Sequence, residues 1–162
     1  MAWGVDPQLV STATSGGLDS VRLGSTEGWP RLEDDAGLPP DGFAETTADG
    51  LVVSDDEDDW RTAPIFFGKI RIDPAYPNPS FGQFITVPVS IQEFNGVQGG
   101  IVLRAEDGDG ALRLIDELLN TNQPGAYTLR FSPAVLGRAG LVRVFLFDRL
   151  GELISYGDVS IR

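Results

Sequence analysis

Apolar and polar residues alternate with a period of two in several short stretches of the second half of the chain. In residues 84–91 every second residue is aliphatic, which predicts a strand with one buried face. These aliphatic residues are Ile85, Val87, Val89 and Ile91. Pro88 lies inside the same stretch. Because proline has no amide donor, its presence predicts that this strand lies at the edge of a sheet.

Residues 141–147, with the sequence LVRVFLF, form the most hydrophobic stretch of the chain. A nearly continuous apolar run of this length is typical of a central strand. Because successive side chains of a strand point to opposite faces, one of two pairs must enter the core. The pairs are Val144 with Leu146, and Phe145 with Phe147.

Similar patterns predict further strands at residues 67–72, 101–105, 127–131 and 152–161. The sequence EDGDG at residues 106–110 separates two apolar runs and predicts a hairpin. The run that follows, residues 112–119, fits a returning strand. Its leucine and isoleucine spacing also fits a short helix, and both interpretations remain open.

The pattern as a whole predicts an all-β fold. About seven strands are separated by short turn segments, as in an antiparallel sandwich of the Ig-like or fibronectin III-like kind. The connections are too short for parallel crossovers, which need a dozen residues or more. We therefore assign residues 65–162 to one β-sandwich domain.

Residues 1–64 differ from this domain in both charge and hydropathy. They hold 14 Asp and Glu against 3 Arg, whereas residues 65–162 hold 10 acidic against 9 basic residues. Low hydrophobicity with high net charge predicts a largely disordered acidic leader. All three tryptophans nevertheless lie here, and we expect Trp60 to dock on the domain. The acidic run at residues 55–59 lacks the spacing of a calcium loop and predicts a solvated spacer.

The composition excludes several classes of chemistry. The chain has no Cys and no His, so it lacks disulfides, thiolate nucleophiles, imidazole bases and the usual zinc ligands. A net charge of −12 disfavours nucleic acid as a partner. No apolar run is long enough for a transmembrane helix, and residues 1–20 lack the pattern of a secretory signal. Acid excess with a single Lys suggests a high-GC or halophilic bacterium.

A series of short motifs resembles a known family. It comprises YPNP at residues 76–79, the Asp-x-x-Gly turn at residues 107–110, PGAY at residues 124–127 and a second Asp-x-x-Gly turn at residues 148–151. In this order they resemble the Ig-like C-terminal sorting domain of type IX secretion and the Ig-like domain of the flagellar hook cap. The resemblance covers residues 70–162. It implies an Ig-like sandwich and an extracytoplasmic location, in the cell envelope or secreted.

Three functional hypotheses follow. The first is a non-enzymatic Ig-like module for interaction, anchoring or assembly at a bacterial cell envelope, with a cytoplasmic binding module as its alternative. The second is a carbohydrate- or calcium-binding sandwich. The third is a carboxylate hydrolase, which is disfavoured because Asp116 and Glu117 are adjacent and would diverge on either a strand or a helix.

Candidate site residues can be named for the first two hypotheses. An interaction surface is predicted at the aromatic residues Tyr76, Phe81, Phe94 and Tyr156. Asp107 and Asp109 are the first candidates for a metal ligand, although no complete ligand set is visible and we expect no cofactor. The final strand has few obstacles to pairing, which predicts a protein partner bound by strand addition. The sequence leaves the oligomeric state undetermined.

Overall fold

The computed structural model describes residues 36–162 and, before them, only two short strands. Eleven strands are present in the described residues, and two 3-10 helices occupy Pro64–Phe66 and Pro133–Leu136. The strands are β1 (Thr12–Thr14), β2 (Gly16–Gly17), β3 (Glu45–Thr46), β4 (Val52–Ser54), β5 (Ile70–Ile72), β6 (Ile85–Ile91), β7 (Ile101–Glu106), β8 (Leu112–Leu118), β9 (Gly125–Phe131), β10 (Gly140–Asp148) and β11 (Leu153–Ile161).

The predicted all-β fold is confirmed. One sheet has the strand order β11-β10-β7-β8 and the other has the order β5-β6-β9. All the pairings are antiparallel. The strands β3 and β4 form a separate two-stranded hairpin, as do β1 and β2. The architecture is therefore sandwich-like, with antiparallel sheets and a small hairpin beside them.

The inner faces of the two large sheets form the core. The four aliphatic residues predicted to share a face of β6 are all buried. In β10, Val144 and Leu146 are fully buried, whereas Phe145 and Phe147 are only partly buried. The first of the two alternative pairs thus points into the core, and the two phenylalanines lie on the outer face. The strand β10 is central in its sheet, as predicted.

Two predicted elements have different bounds in the structure. Residues 112–119 form a strand over Leu112–Leu118, so the helical alternative is wrong. The strand predicted at residues 67–72 begins only at Ile70, because a 3-10 turn precedes it and leaves Phe67 exposed.

Both Asp-x-x-Gly turns form as predicted. In each, the aspartate carboxylate accepts backbone amides of the turn, and the glycine adopts a positive φ.

The prediction that Pro88 marks an edge strand is wrong. The strand β6 lies between β5 and β9, and Pro88 is paired with Thr128 of β9. The carbonyl of Pro88 accepts the amide of Asp73, one residue beyond the end of β5. Since the N and O atoms of a strand residue point to the same neighbour, the missing donor faces the place where β5 ends. The ladder between β6 and β9 is therefore unaffected.

The acidic leader does not extend to residue 64. Ala44, Thr46, Trp60 and Ala63 are buried, and three of them belong to the hydrophobic core. Residues 36–63, which we call the strap, therefore pack on the sandwich, contrary to the prediction of disorder for this part. The predictions for residues 1–35, including those for Trp3 and Trp29, lie outside the described residues except for β1 and β2.

Trp60 docks on the domain as expected, and a glycine makes room for it. A Cβ atom on Gly157 of β11 would overlap the Trp60 indole, so only glycine fits at this position. Trp60 itself has a positive φ of 64°. The close approach of the indole to the β11 backbone fixes the C-terminal end of the strap on the sheet.

We predict that Gly157→Ala destabilises the protein by about 1–3 kcal/mol, the usual effect of overpacking a core. Thermal unfolding of the full chain measures this change. In a Trp60→Ala background the clash is absent, so the same glycine substitution should cost less. Equal losses in the two backgrounds would show that the Trp60–Gly157 contact is not the cause.

Candidate functional site

The strand β11 forms one border of its sheet, but its outer edge is occupied. The strap amides of Trp60 and Ala63 donate to the carbonyls of Tyr156 and Ile154, at 2.7 and 2.8 Å. Further along the edge, the amide of Ser80 donates to the carbonyl of Ser160 at 2.8 Å. All nine residues of β11 are buried. The prediction of strand addition at the final strand is therefore wrong, because the chain already covers that edge.

Asn78, from the YPNP motif, binds the edge of β11 between these contacts. Its side-chain amide donates to the carbonyl of Asp158 at 3.0 Å. Its side-chain oxygen accepts the amide of Ser160 at 2.9 Å. One asparagine side chain thus supplies both bonds that a neighbouring strand would make. Because Asn78 is fully buried, the motif has a structural role at this edge.

A buried ion pair lies across the same two strands. The guanidinium of Arg143 on β10 binds both carboxylate oxygens of Asp158 on β11, at 2.7 and 2.8 Å. Arg143 also donates to the backbone carbonyl of Leu38 at 3.0 Å, and its charged group lies 4.4 Å from the ring centroid of Tyr156. The amide of Asp41 donates to Asp158 at 3.2 Å. The pair therefore fixes the N-terminal part of the strap to the outer face of the sheet.

Asp59 adds a second carboxylate to this buried cluster. It is only 7% exposed, and one of its oxygens accepts the amide of Asp158 at 3.1 Å. Burial, followed by the negative charge of Asp158, raises the pKa of Asp59 from its ordinary value of 3.8 to about 8. Deprotonation of Asp59 therefore places a second negative charge beside that of Asp158, where the strap contacts β11.

The raised pKa of Asp59 predicts a pH dependence of stability. Between pH 3.8 and about 8 the folded protein holds a proton on Asp59 that the unfolded chain has lost. The contribution of Asp59 to the free energy of unfolding therefore falls as the pH rises through this range and is constant above it. Asp59→Asn imitates the protonated form and should flatten this fall.

Denaturant unfolding of both proteins at several pH values from 5 to 9 measures the difference, in the full chain. Asp58→Asn is the matched control, since Asp58 is the exposed neighbour of Asp59. A wild-type stability that falls no more steeply with pH than that of Asp59→Asn would contradict the assignment.

The four aromatic residues predicted to form an interaction surface do not share an environment. Tyr156 is 1% exposed and lies beneath Arg143, so its assignment to the surface is wrong. Tyr76 is partly buried and its ring lies against Gly50. Phe81 and Phe94 are exposed, in the loops before and after β6. Only these two keep the exposure that the prediction requires.

The carboxylates considered as metal ligands or catalytic groups have other partners. One oxygen of Asp107 accepts the amides of Asp109 and Ala111, and the other accepts two bonds from Arg113. The backbone bonds and then Arg113 lower the pKa of Asp107. Within residues 36–162 no group of three or more Asp or Glu is arranged to hold a metal ion.

The adjacent pair on β8 diverges as the sequence predicts. Asp116 accepts the amide of Arg130 at 2.7 Å, and Glu117 binds Arg149 at 2.6 Å. The two carboxylates thus serve different contacts on different faces of the strand.

The hairpin of β3 and β4 presents an exposed apolar edge. Leu51, Val52 and Val53 are 66%, 50% and 61% exposed, respectively. Neighbouring strand residues point to opposite sides, so β4 is open to solvent on both faces. In the part of the chain that the structure describes, β4 pairs only with β3. Its other edge therefore carries backbone groups that no described strand occupies.

The other strand of this hairpin, β3, is attached to the sandwich by hydrogen bonds. The amide of Thr46 donates to the carbonyl of Asn78 at 2.9 Å, and its hydroxyl donates to the carbonyl of Ala75 at 2.7 Å. In the turn, the amide of Leu51 donates to the hydroxyl of Thr47, and Gly50 adopts a φ of 95°. The hairpin is therefore a fixed projection of the sandwich, anchored through β3.

Acidic residues surround the exposed edge. Glu45 and Asp49 lie exposed on the β3 side and in the turn, and Asp55, Glu57 and Asp58 are exposed directly after β4. The arrangement combines an apolar strand edge with negative charge at both ends. It suits an extended segment that is itself apolar and positively charged.

Sequence reasoning missed two features of this region. It assigned residues 51–53 to a disordered leader, whereas Val52–Ser54 form the strand β4. It also passed over Arg143, a charged residue inside the most hydrophobic stretch, although a charge there signals a buried partner.

Comparisons of this chain with protein-family models, with curated proteins and with solved structures find no match. The resemblance to the type IX sorting domain and the hook-cap domain therefore remains a prediction. Among the described residues, no helix has the length and apolar content that a membrane span requires.

Proposed function

We propose that this chain is a non-enzymatic, Ig-like interaction module that serves anchoring or assembly at a bacterial cell envelope or in a secreted protein. Its binding site is the free edge of β4, which takes an extended segment of a partner protein by strand addition. The single observation that carries this proposal is the exposure of Val52 and Val53 on an edge strand fixed to the sandwich, with exposed Leu51 directly before it.

Strand addition obtains affinity from main-chain hydrogen bonds and specificity from the alternating side chains. Natural edge strands are usually covered, or are protected by inward-facing charges, because an open edge recruits other chains. In this protein β11 is covered along its length, whereas β4 and the residue before it keep three consecutive aliphatic side chains in solvent. This difference between two edges of one molecule supports a role for β4 in binding.

The charges define the chemistry of the partner. Glu45, Asp49 and Asp55 lie close to the apolar edge in sequence and are exposed. We expect the bound segment to alternate aliphatic residues with Lys or Arg, so that its cations face these carboxylates. Salt screens exposed charges over about 8 Å at physiological ionic strength, so affinity should decrease with added salt without vanishing.

A synthetic peptide of alternating lysine and valine tests this site. Added to the isotope-labelled full chain, it should shift the amide signals of residues 51–54 in NMR spectra. Val53→Asp removes an apolar contact and repels the peptide, and should weaken binding about tenfold, which corresponds to roughly 1.4 kcal/mol. The control is Val135→Asp, at an exposed valine in the 3-10 helix after β9.

A peptide that binds Val53→Asp as tightly as the wild type would contradict the assignment to β4. Signals that move at Phe81 and Phe94 instead would favour a different surface. An alternating glutamate–valine peptide should bind less tightly than the lysine–valine peptide if the charges act as described.

The extracytoplasmic location is a separate part of the proposal, and the resemblance of residues 70–162 to envelope-associated Ig-like domains supports it. Fractionation of cells that express the native gene product tests it directly. Recovery in the envelope or the medium is expected. Recovery only in the cytosol would leave a cytoplasmic binding module with the same β4 site.

A further inference from the structure

Four loops meet at one end of the sandwich, which we call the loop end. They precede β5 and connect β6 to β7, β8 to β9 and β10 to β11. Their residues are 67–69, 92–100, 119–124 and 149–152. The antiparallel registers place the strand termini next to these loops opposite one another in both large sheets. The loops of the two sheets therefore lie at a common end.

Hydrogen bonds join the loop between β6 and β7 to each of the other three. An amide at its start donates to the carbonyl of Lys69 at 2.8 Å. The amide of Asn95 donates to the carbonyl of Asn122 at 2.8 Å. The guanidinium of Arg149 donates to the carbonyl of Gly99 at 3.2 Å. These bonds give the four loops fixed positions relative to one another.

Each of the four loops carries one large apolar side chain that is exposed to solvent. These side chains, which we call the tips, are Phe67 at 66%, Phe94 at 57%, Leu119 at 71% and Leu150 at 90% exposure. Leu150 and Leu119 are the two most exposed large apolar side chains in the part of the chain that the structure describes. Exposed apolar groups that collect at one place on a protein mark an interaction site.

The residues around the tips favour a lipid surface over a protein partner. Most of the remaining loop residues are Gly, Asn or Gln, so each tip stands on its own loop among polar groups. A protein interface has a closely packed apolar core, which tips on separate loops do not supply. Lipid headgroups are fluid and open around single side chains. Binding to lipid then depends on the total apolar area that enters the interface.

The charges at the loop end indicate the kind of lipid. The loops contain two cationic and two acidic residues, namely Lys69, Arg149, Glu93 and Glu152. On the adjoining strand ends, Glu117 binds Arg149 at 2.6 Å, and the carboxylate of Asp148 accepts two amides of its turn. Anionic lipids attract clusters of basic residues, and the described loops hold no excess of cations. The loop end therefore suits a membrane surface without net charge.

The acidic part of the strap lies away from the loop end. Asp59 contacts Asp158, which is five residues along β11 from the start of this strand at Leu153. At roughly 3.4 Å per residue this separation is about 17 Å, or two Debye lengths at physiological ionic strength. The β3–β4 hairpin is attached to Asn78, which also contacts Asp158. Carboxylates at that distance do not hinder the approach of the tips to a membrane.

We infer that the loop end inserts its four tips into the interfacial layer of an electrically neutral phospholipid membrane. The tip side chains enter the acyl boundary, and the loop backbone stays at headgroup level, where its polar groups keep their partners. The long side chain of Lys69, close to Phe67 in sequence, places its ammonium group among the lipid phosphates. The inference rests on the proposed function for its anchoring role, but it uses a different surface from the β4 edge.

Flotation of the full chain with phosphatidylcholine vesicles at 0.15 M salt tests the inference. The wild type should float with the vesicles. Phe67→Asp and Leu150→Asp should each lower the partition coefficient about tenfold, because an aspartate replaces apolar area that enters the interface. The matched control is Phe81→Asp, since Phe81 is also 66% exposed but lies beside the other end of β11. It should bind like the wild type, as should Val53→Asp on the β4 edge.

Several results would overturn the inference. They are a wild type that does not float, equal losses in Phe81→Asp and the two tip variants, and flotation only with vesicles that contain phosphatidylglycerol. Loss of Phe67→Asp and Leu150→Asp from the cell envelope without any vesicle binding would assign the tips to a protein partner instead.

The same experiment separates this inference from the proposed function. Absence of flotation together with amide shifts of residues 51–54 by the lysine–valine peptide would reject the membrane contact and keep the β4 site. Normal flotation of the wild type and of Val53→Asp, without those amide shifts, would support the membrane contact and reject the β4 site.

Discussion

The hydrogen-bonding edge of β11 is the constraint on which the rest of this structure depends. Every residue of this strand is buried, and buried backbone amides and carbonyls must find partners. Within residues 36–162 no further strand is paired with this edge, and the strap, Asn78 and Ser80 supply the bonds. Their attachment gives residues 36–63 a fixed position, although their composition alone would predict disorder.

Attachment of the strap has an electrostatic consequence. It brings Asp59 and Asp41 towards a sheet that already holds the Arg143–Asp158 pair. Removing charges from water is unfavourable unless they are paired, and here one guanidinium faces more than one carboxylate. The raised pKa of Asp59 reduces the number of negative charges in this cluster by one below about pH 8. The same cluster also holds the carbonyl of Leu38, so charge balance and strap position are linked.

The covered edge also determines which surfaces remain for interactions. Because the outer edge of β11 is covered, the strand edges without a paired strand in the described residues include that of β4, which is part of the strap, and that of the first half of β8. The strap therefore has two effects. It supplies hydrogen-bond partners to the outer edge of β11, and it exposes the free edge of β4.

The sequence by itself determined the elements whose signals are local. Alternation in residues 85–91, the apolar run at residues 141–147 and the two Asp-x-x-Gly turns depend on side-chain period and turn chemistry, and each forms as expected. The sequence also indicated that Trp60 would dock. Only the tertiary structure decided what satisfies the edge of β11, why Pro88 is accepted in a central strand, and which carboxylates are buried. These outcomes depend on contacts between residues 15 to 117 positions apart, such as Arg143 with Asp158 and Asp41 with Asp158, and no local pattern encodes such pairings.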